Sequence, residues 1–563
     1  MKKFIAILLS LVFIVPTVSH SDEIRSKEMF SFDIKKINDY AYITSEDCKY
    51  LYNAGCPILP YYTKLYTFPL GTKIRRIEVK VEGIEKMKLN KKIAFTEDKE
   101  RVHELKDFYP ENWFSYKARV GIKNGEHVIF LSLHLYPVRY NASRNEILYV
   151  RNFDIKVEYE VAPESLFSKD EYDLLVIAPD KWVKDLEPLK THEEREGIKT
   201  IVVGLSEIYS SKYFPTNGRD DAEKLKYFIK NAIEQWGIEY VLLVGGRKYT
   251  GAWIIPVRYA YAVDAVPPFT ERRFISDLYF ADIYKYEDGV AFDDWDSNGN
   301  GIFAEYNNGG RYDSVDLMPD VYVGRLACRN KLELKILVNK IIKYENSQNK
   351  RILLCGGDTD LYDADDINEG EYLNERIAEI MHDFECIMLK ASDGTLSRVN
   401  IWREIMKGVS FIDFSGHGSP NSWANHPHNS EEWVGITIFD IPFYFNGYKL
   451  PIIFANACHT AQFNLTYECI GWHFVRKYGG GAIAFIGSTG LSYGFGGYKT
   501  AESLSGYLEI EFFKNYYNSS YLCQMFYNAL ANYLNNIPMD DWQDYKTVEE
   551  YVLLGIPCLK IHL

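Results

Sequence analysis

Two segments of the chain place a reactive side chain directly after an apolar run typical of a buried strand. His417 follows the run Phe-Ile-Asp-Phe at 411–414, and Cys458 follows the run Ile-Ile-Phe-Ala at 452–455. In open parallel sheets, ligands bind beyond the carboxyl ends of the strands. If these strands are neighbours, a thiol and an imidazole face one cleft. That pair can perform acyl transfer: the thiolate attacks a carbonyl, the imidazolium protonates the leaving amine, and water hydrolyses the thioester.

Glycines on both sides of His417, at positions 416 and 418, would let a substrate backbone approach closely. The N–H of Gly418 would then be free to donate to a developing oxyanion, together with the N–H of Cys458. The segment therefore predicts an oxyanion hole formed by these two N–H groups.

Two other interpretations of the same residues remain open. Cysteine is often a small core residue, so a buried structural thiol and a turn histidine would leave the chain without chemistry. A metal site is the second alternative, although its spacing matches no zinc pattern; its ligands would be His417, His426, His428, Cys458 and His459.

The elements around these residues change character along the chain. Residues 22–165 alternate apolar and polar side chains with β-branched and aromatic content, which predicts an all-β domain of antiparallel strands. From about 170 onward, short continuous apolar runs alternate with helical patterns, which indicates an α/β region of mostly parallel sheets with helices on both faces. We predict two α/β subdomains there, residues 170–347 and 348–563, the second carrying His417 and Cys458.

Several segments resemble the gingipain family of cysteine peptidases, which belongs to the caspase and legumain clan. The segments around His417 and Cys458 are similar to the family's His-Gly and Ala-Cys blocks, and further similar segments occur in family order at 218–222, 240–246, 321–326 and 484–489. The strand-rich part is similar to the family's propeptide at 55–60 and 68–71. The resemblance implies a caspase-like fold and a His–Cys dyad, preceded by a propeptide.

The resemblance also implies two acidic site residues. A carboxylate behind the histidine corresponds to Asp358, which would orient the imidazole, unless it is a loop or helix-capping aspartate. An acid at the base of the pocket for the residue before the scissile bond (P1) corresponds to Glu371, which would select Arg or Lys. A carboxylate in the first turn of a helix is also ordinary compensation of the helix dipole.

An oxygen-rich segment at 293–301 predicts a structural calcium ion. Its pattern begins like a D-x-N-x-N-G calcium loop, but the acidic residue expected at the twelfth position is Asn307. The predicted ligands are Asp294, Asp296, Asn298, Asn300 and Glu305. The alternative is a solvated acidic turn, and no organic cofactor is predicted.

The first residues predict the compartment. Lys2 and Lys3 precede an apolar run at 4–15 that is shorter than the ~20 residues of a membrane helix, so residues 1–21 are typical of a secretory signal peptide. No second apolar stretch of spanning length follows, so we predict no stable membrane insertion after signal cleavage. A net charge of −14 argues against nucleic acid as a partner.

These observations lead to one functional hypothesis: a secreted cysteine endopeptidase, made as a zymogen and acting on proteins or peptides. The propeptide, residues 22–165, would cover the cleft as an intramolecular inhibitor until cleavage near Lys169, and P1 would be basic if Glu371 lines the pocket. The alternatives are a non-catalytic secreted binding module on a peptidase-like scaffold and a cysteine transpeptidase.

Overall fold

The structure, a computed structural model, describes residues 22–53, 55–96, 107–162, 167, 170–262, 271–344, 350–361 and 365–561. The predicted signal peptide (1–21), Lys169 and the predicted subdomain boundary near 347 lie outside the described residues. None of the described helices is long and apolar enough to cross a membrane.

The described residues of the N-terminal region form strands, and none of them lies in an α-helix. The strands are β1 (Asp22–Met29), β2 (Asp33–Ile37), β3 (Tyr40–Thr44), β4 (Lys49–Leu51), β5 (Leu59–Pro69), β6 (Lys73–Glu82), β7 (Glu85–Lys88), β8 (Lys92–Ile93), β9 (Phe114–Lys123), β10 (Glu126–Leu135), β11 (Val138–Asn141), β12 (Glu146–Tyr149) and β13 (Asn152–Glu160). Their hydrogen-bonded orders are β1-β13-β6, β4-β5-β10-β9, β11-β12-β7 and β2-β3-β8, and all these pairs are antiparallel except β3 with β8.

The rest of the chain alternates strands and helices. The strands are β14 (Leu174–Ala178), β15 (Thr200–Gly204), β16 (Tyr240–Val244), β17 (Tyr259–Ala262), β18 (Phe274–Ile275), β19 (Tyr284–Tyr286), β20 (Val290–Phe292), β21 (Phe303–Tyr306), β22 (Tyr322–Leu326), β23 (Arg351–Gly356), β24 (Glu385–Lys390), β25 (Phe411–Ser415), β26 (His417–Ser419), β27 (Ser422–Asn425), β28 (Val434–Thr437), β29 (Ile452–Asn456), β30 (Ala484–Ser488) and β31 (Tyr551–Leu554). The helices are α1 (Glu187–Arg195), α2 (Leu205–Tyr209), α3 (Asp221–Trp236), α4 (Lys331–Ile342), α5 (Glu369–Ile380), α6 (Arg398–Lys407), α7 (Ile470–Arg476), α8 (Leu504–Lys514), α9 (Leu522–Asn536) and α10 (Trp542–Glu550).

Ten of these strands form one sheet in the order β15-β14-β16-β22-β31-β30-β29-β25-β23-β24. Its neighbouring strands are parallel except at the β30–β31 pair. Strands such as β14 and β16 are buried along their whole length, as expected when helices cover both faces of a sheet. The predicted fold class, an all-β region followed by a mostly parallel α/β region, is confirmed. The last strand, β31, lies between β22 and β30, so both predicted subdomains contribute to a single sheet.

The N-terminal region packs directly on the α/β region. Val120 and Ile122 of β9 and Phe130 of β10 belong to the same buried cluster as the core of the large sheet. The Ile122 N–H donates to the carbonyl oxygen of Pro319 at 3.0 Å, and the Ser132 hydroxyl donates to Asn535 of α9 at 3.1 Å. An apolar core shared in this way should hold the two regions together even after a cut between them.

Candidate active site

The structure places His417 and Cys458 at the ends of two neighbouring strands. β25 and β29 pair in parallel, with Ser415 opposite Asn456, and the Gly416 N–H donates to the Asn456 carbonyl at 3.0 Å. The sequence-based expectation of adjacent strands is therefore met. Both side chains line one open cleft of about 240 Å³ at the carboxyl edge of the sheet.

Gly418 brings the histidine segment against the turn that carries Cys458. A Cβ atom at this position would overlap the carbonyl oxygen of Cys458 and would lie 2.8 Å from Thr460 Cγ2 and 2.9 Å from Ala457 Cβ. Only glycine lets the two segments approach this closely. The role of the Gly418 and Cys458 N–H groups as an oxyanion hole stays a prediction.

The imidazole of His417 has a defined hydrogen-bond partner. Its Nε2 lies 3.0 Å from the carbonyl oxygen of Thr359, and its ring packs edge-on against Trp433 with centroids 5.0 Å apart. Because a carbonyl only accepts, Nε2 carries the proton and Nδ1 is the basic atom of the neutral ring. Burial is the main effect on the pKa of His417 and lowers it below 6.5, whereas the hydrogen bond to the Thr359 carbonyl raises it.

Asp358 has a different partner from the one predicted. Its carboxylate accepts from His428 Nδ1 at 2.7 Å and from the Asp360 N–H at 3.0 Å. The hydrogen bond that was expected to orient His417 is made by the carbonyl of the next residue, Thr359. Asp358 is fully buried, and its hydrogen bonds hold the residues on both sides of Thr359, namely Asp358 itself and Asp360. Asp358 thus shapes the loop that carries the Thr359 carbonyl.

The thiol of Cys458 is held by one residue of the opposite wall. Its Sγ donates to the Ser492 carbonyl at 3.4 Å and accepts from the Ser492 N–H at 3.3 Å. Burial raises the pKa of Cys458 to about 11, and the Ser492 N–H opposes this rise. At neutral pH the resting cleft therefore holds a neutral thiol and a neutral imidazole.

A family model described as peptidase family C25 matches residues 167–562 of this chain. The chain belongs to peptidase family C25. Gingipain R2 of Porphyromonas gingivalis is 23% identical over 334 residues, which cover 57% of this chain and 37% of that protein. Lys-gingipain W83 of the same organism is 27% identical over 188 residues, which cover 32% of this chain and 10% of that protein.

Among solved structures, the crystal structure of the Arg-specific cysteine proteinase gingipain R matches with a TM-score of 0.50 and 18% identity. The match covers 70% of this chain and 80% of that chain, and it shows a common fold. The alignments with the curated gingipains span less than half of the length of those relatives.

Sequence reasoning missed Glu369, the carboxylate that connects both walls of the cleft in this C25 chain. Its Oε2 accepts from the Thr359 N–H at 3.1 Å and from the Thr359 hydroxyl at 2.9 Å, and its Oε1 accepts from the Gly497 N–H at 2.7 Å. Glu369 is fully buried at the start of α5. The only sequence signal was its place in the first turn of the helix that follows β23, where Glu371 stands as well.

Glu371 is directed away from the cleft of the C25 domain. Its Oε1 accepts from the Ser392 N–H at 2.8 Å and its Oε2 accepts from the Ser392 hydroxyl at 2.6 Å. It is not among the described residues that line the cleft, whereas Asp360 is. Glu369 and Glu371 are two positions apart, which on a helix directs their side chains to different sides.

The structure divides the predicted calcium ligands into two groups. Asn298 and Asn300 both reach Oε2 of the buried Glu305 through Nδ2, at 2.8 and 2.5 Å. Asp294 and Asp296 pair instead with the guanidinium of Arg219, at 3.2 and 2.5 Å. A cation beside Glu305 would require both amides to turn by 180°, which would give up the hydrogen bonds that Asn298 Oδ1 accepts from the Asn300 N–H at 3.1 Å and Asn300 Oδ1 accepts from the Ile302 N–H at 2.8 Å.

The alternative metal site around the dyad is not formed. Within the described residues, no three His, Cys, Asp or Glu side chains are grouped so that they could hold a metal ion. His459 instead contacts Glu271 at 3.2 Å, and His426 Nδ1 lies 3.0 Å from the Pro427 carbonyl. His417 and Cys458 thus share the cleft without the other predicted ligands.

Proposed function

We propose that this C25 chain is a cysteine endopeptidase in which Cys458 is the nucleophile and His417 the general base. The observation that supports this most is the shared cleft, which brings a thiol and an imidazole together beyond two parallel strands. The thiol proton passes to His417 Nδ1 as Sγ attacks the scissile carbonyl. The imidazolium then protonates the leaving amine, and water hydrolyses the thioester while His417 accepts its proton.

The proposal includes zymogen latency imposed by residues 22–165. The described part of this region does not line the cleft, but the Tyr52 ring lies 5.8 Å from the Phe495 ring on the cleft wall. Nearby, Lys49 donates to the Tyr507 hydroxyl at 3.0 Å. We propose that these contacts hold the 492–496 wall in the position that keeps Cys458 only partly exposed and protonated, instead of covering the cleft as a lid.

Labelling with a thiol-reactive peptide tests this reaction class and its latency. We expect slow labelling of the intact chain and labelling of Cys458 about ten-fold faster after limited proteolysis of the 163–169 linker and removal of residues 22–165, because a more solvated thiol ionises more readily. The measurement is the labelling rate by intact mass spectrometry. Cys386→Ala is the matched control, since Cys386 is another partly exposed thiol.

Three outcomes would count against parts of this proposal. Labelling of Cys386 but not Cys458 would favour a non-catalytic binding module. Equal rates before and after proteolysis would remove the latency. Product masses that show transfer of the acyl group to an added amine would make the chain a transpeptidase.

The proposal includes a preference for Arg or Lys at P1, but the acidic residue that would select it is Asp360 instead of Glu371. Asp360 is the acidic side chain among the described cleft residues, and it is exposed. A solvated carboxylate contributes little to an ion pair, so we expect only a modest preference, lost in Asp360→Asn. Mapping of cleavage sites by mass spectrometry measures it, and a basic preference unchanged in that variant would contradict the assignment.

Glu369→Gln should lower kcat about ten-fold and leave KM nearly unchanged, because one buried hydrogen bond that positions Thr359 is lost. The Thr359 carbonyl raises the pKa of His417, so a displaced carbonyl lowers that pKa further. Since catalysis needs the unprotonated imidazole, the acid limb of kcat/KM, which lies below pH 6.5, should move to lower pH. The measurement is the pH profile of kcat/KM.

Glu371→Gln is the matched control for this prediction. It changes a buried carboxylate of the same helical turn that bonds to Ser392 and not to the cleft. An acid limb that does not move in Glu369→Gln, or that moves equally in Glu371→Gln, would reduce Glu369 to a structural role.

We propose that a structural calcium ion binds at Asn298, Asn300 and Glu305, with Asp296 and Asp294 beside it. Bound calcium should raise Tm by about 3 °C, because a ligand that binds only the folded state stabilises it. Thermal unfolding with calcium and with a chelator measures this shift. Asn298→Ala/Asn300→Ala should abolish it, and Asn231→Ala, a distant surface asparagine, should retain it; a shift that persists in the double variant would contradict the site.

Export through residues 1–21 completes the proposal. N-terminal sequencing of the protein recovered from culture medium tests it, and a retained Lys2-Lys3 start would contradict cleavage.

A further inference from the structure

A group of large aromatic side chains is exposed on the flank of the α/β region that carries α6, outside the cleft. We call it the aromatic patch. Its members and their exposed fractions are Trp402 (41%), Phe439 (78%), Phe443 (65%), Phe445 (63%), Tyr448 (38%) and Tyr478 (72%). Single exposed apolar residues are common on protein surfaces, but contiguous groups of this size mark interaction sites.

Several contacts show that the patch is one surface. The Trp402 indole N–H of α6 donates to the Phe443 carbonyl at 3.2 Å. The Gly447 N–H donates to the Gly479 carbonyl at 3.2 Å, which brings the segments of Tyr448 and Tyr478 together. The ammonium of Lys477 lies 4.1 Å from the centre of the Phe445 ring. The middle of α6, the 439–448 segment and the 477–479 turn therefore form a continuous face.

The patch extends along α6, from Phe439 near the start of this helix to the 477–479 turn at the amino edge of the sheet. The segment 439–448 leads into β29, and the turn at 477–479 leads into β30. Because these strands are parallel, their amino ends share one edge and their carboxyl ends, with the cleft, share the other. A partner bound to the patch would leave the cleft open to substrate.

The charge around the patch is positive although the chain as a whole carries −14. The cationic side chains at or beside it are Lys343, Arg398, Arg403, Lys407, Lys449 and Lys477. The carboxylates among them, Glu404 and Asp440, are already paired, Glu404 with Arg351 and Lys407 and Asp440 with Arg398. The patch therefore offers unbalanced positive charge to a partner.

We propose that the aromatic patch is a docking surface for an anionic lipid bilayer. Aromatic rings flanked by Lys and Arg are the combination that settles at the boundary between headgroups and acyl chains, where the rings bury apolar area and the cations meet lipid phosphates. A protein partner for a largely apolar site would need a matching acidic rim, whereas an anionic membrane supplies negative charge over the whole face. The enzyme would then work while attached to a membrane surface, with its cleft facing the solution.

Vesicle flotation with the full chain tests this proposal. We expect the chain to bind phosphatidylcholine vesicles that contain about 30 mol% phosphatidylglycerol and to bind vesicles of phosphatidylcholine alone more weakly. Binding to the anionic vesicles should weaken at about 0.5 M salt. Phe443→Ser/Phe445→Ser should lower the bound fraction on anionic vesicles about ten-fold. Arg403→Glu/Lys449→Glu should lower binding to anionic vesicles and leave binding to phosphatidylcholine unchanged.

The matched control is Ile84→Ser/Leu332→Ser, which removes two comparably exposed apolar side chains outside the patch and should bind like the unaltered chain. Unaltered thermal unfolding of each variant shows that it is folded. Equal flotation of the unaltered chain and Phe443→Ser/Phe445→Ser would overturn the proposal, as would equal binding to both vesicle types. A dimer in sedimentation that is lost in Phe443→Ser/Phe445→Ser, without vesicle binding, would also overturn it and assign the face to a second copy of the chain.

Discussion

Cys458→Ala is expected to lower kcat/KM for peptide hydrolysis by about 10⁴-fold or more, because the covalent route to the thioester is lost with the sulfur atom. The side chain is held by the Ser492 carbonyl and N–H, and removing Sγ frees both groups without opening the core. The variant should therefore remain folded. The measurement is steady-state hydrolysis of a fluorogenic peptide after removal of residues 22–165.

His417→Ala should cause a loss of similar size, and the double variant should be no worse than either single one. Groups that act in one proton transfer are strongly non-additive, so additive losses would indicate separate roles. Cys386→Ala serves as the thiol control, because Cys386 lies in β24, outside the cleft. Activity retained in Cys458→Ala at the level of this control would refute the mechanism.

Gly418→Ala is expected to lower kcat by about 100-fold, because displacing reacting groups by roughly 1 Å has an effect of that size. The added Cβ would overlap the Cys458 carbonyl oxygen and would lie 2.9 Å from Ala457 Cβ. Since both neighbours are part of the compact turn that carries Cys458, either that turn or the strand carrying His417 must move. The effect should fall on kcat more than on Tm, and both are measured on the same preparation.

Gly494→Ala is the matched control, since Gly494 also lines the cleft. A Cβ there would lie 3.7 Å from Ser505 Oγ and 3.9 Å from Thr500 Oγ1, which are ordinary contact distances. We therefore expect less than a two-fold change in kcat for this variant, an effect about as small as those of surface substitutions. Equal losses in Gly418→Ala and Gly494→Ala would show that the cleft tolerates no added methyl group and would contradict a specific effect of Gly418 on the position of His417 relative to Cys458.

The carboxylates show where prediction from sequence stops. The sequence placed candidate acids near the right loops, Asp358 after β23 and Glu371 in the first turn of α5, but their side chains contact His428 and Ser392. The carboxylate that joins Thr359 to the 497 segment is Glu369, two residues from the predicted one. Which member of a helical turn faces a cleft depends on the rotation of the helix against its sheet, and that rotation is set by packing partners distant in sequence.

The predicted calcium loop at 293–301 also shows what the sequence leaves undecided. The spacing of its oxygen-bearing residues is local and was visible in the sequence, but Arg219, which pairs with Asp294 and Asp296, precedes the loop by more than seventy residues. A cation that approaches from another element can neutralise the acids of a loop, and local spacing does not reveal it.

The amino-acid sequence by itself determined the order of the layers, the strand and helix types and the two segments that carry the thiol and the imidazole. These properties depend on local periodicity and on residues such as glycine whose backbone freedom is intrinsic. Only the tertiary structure decided that β25 and β29 are neighbours, that a carbonyl and not a carboxylate meets His417, and that exposed rings gather along α6. Pairing between distant segments is a property of the whole packed sheet, and no single stretch of the chain contains it.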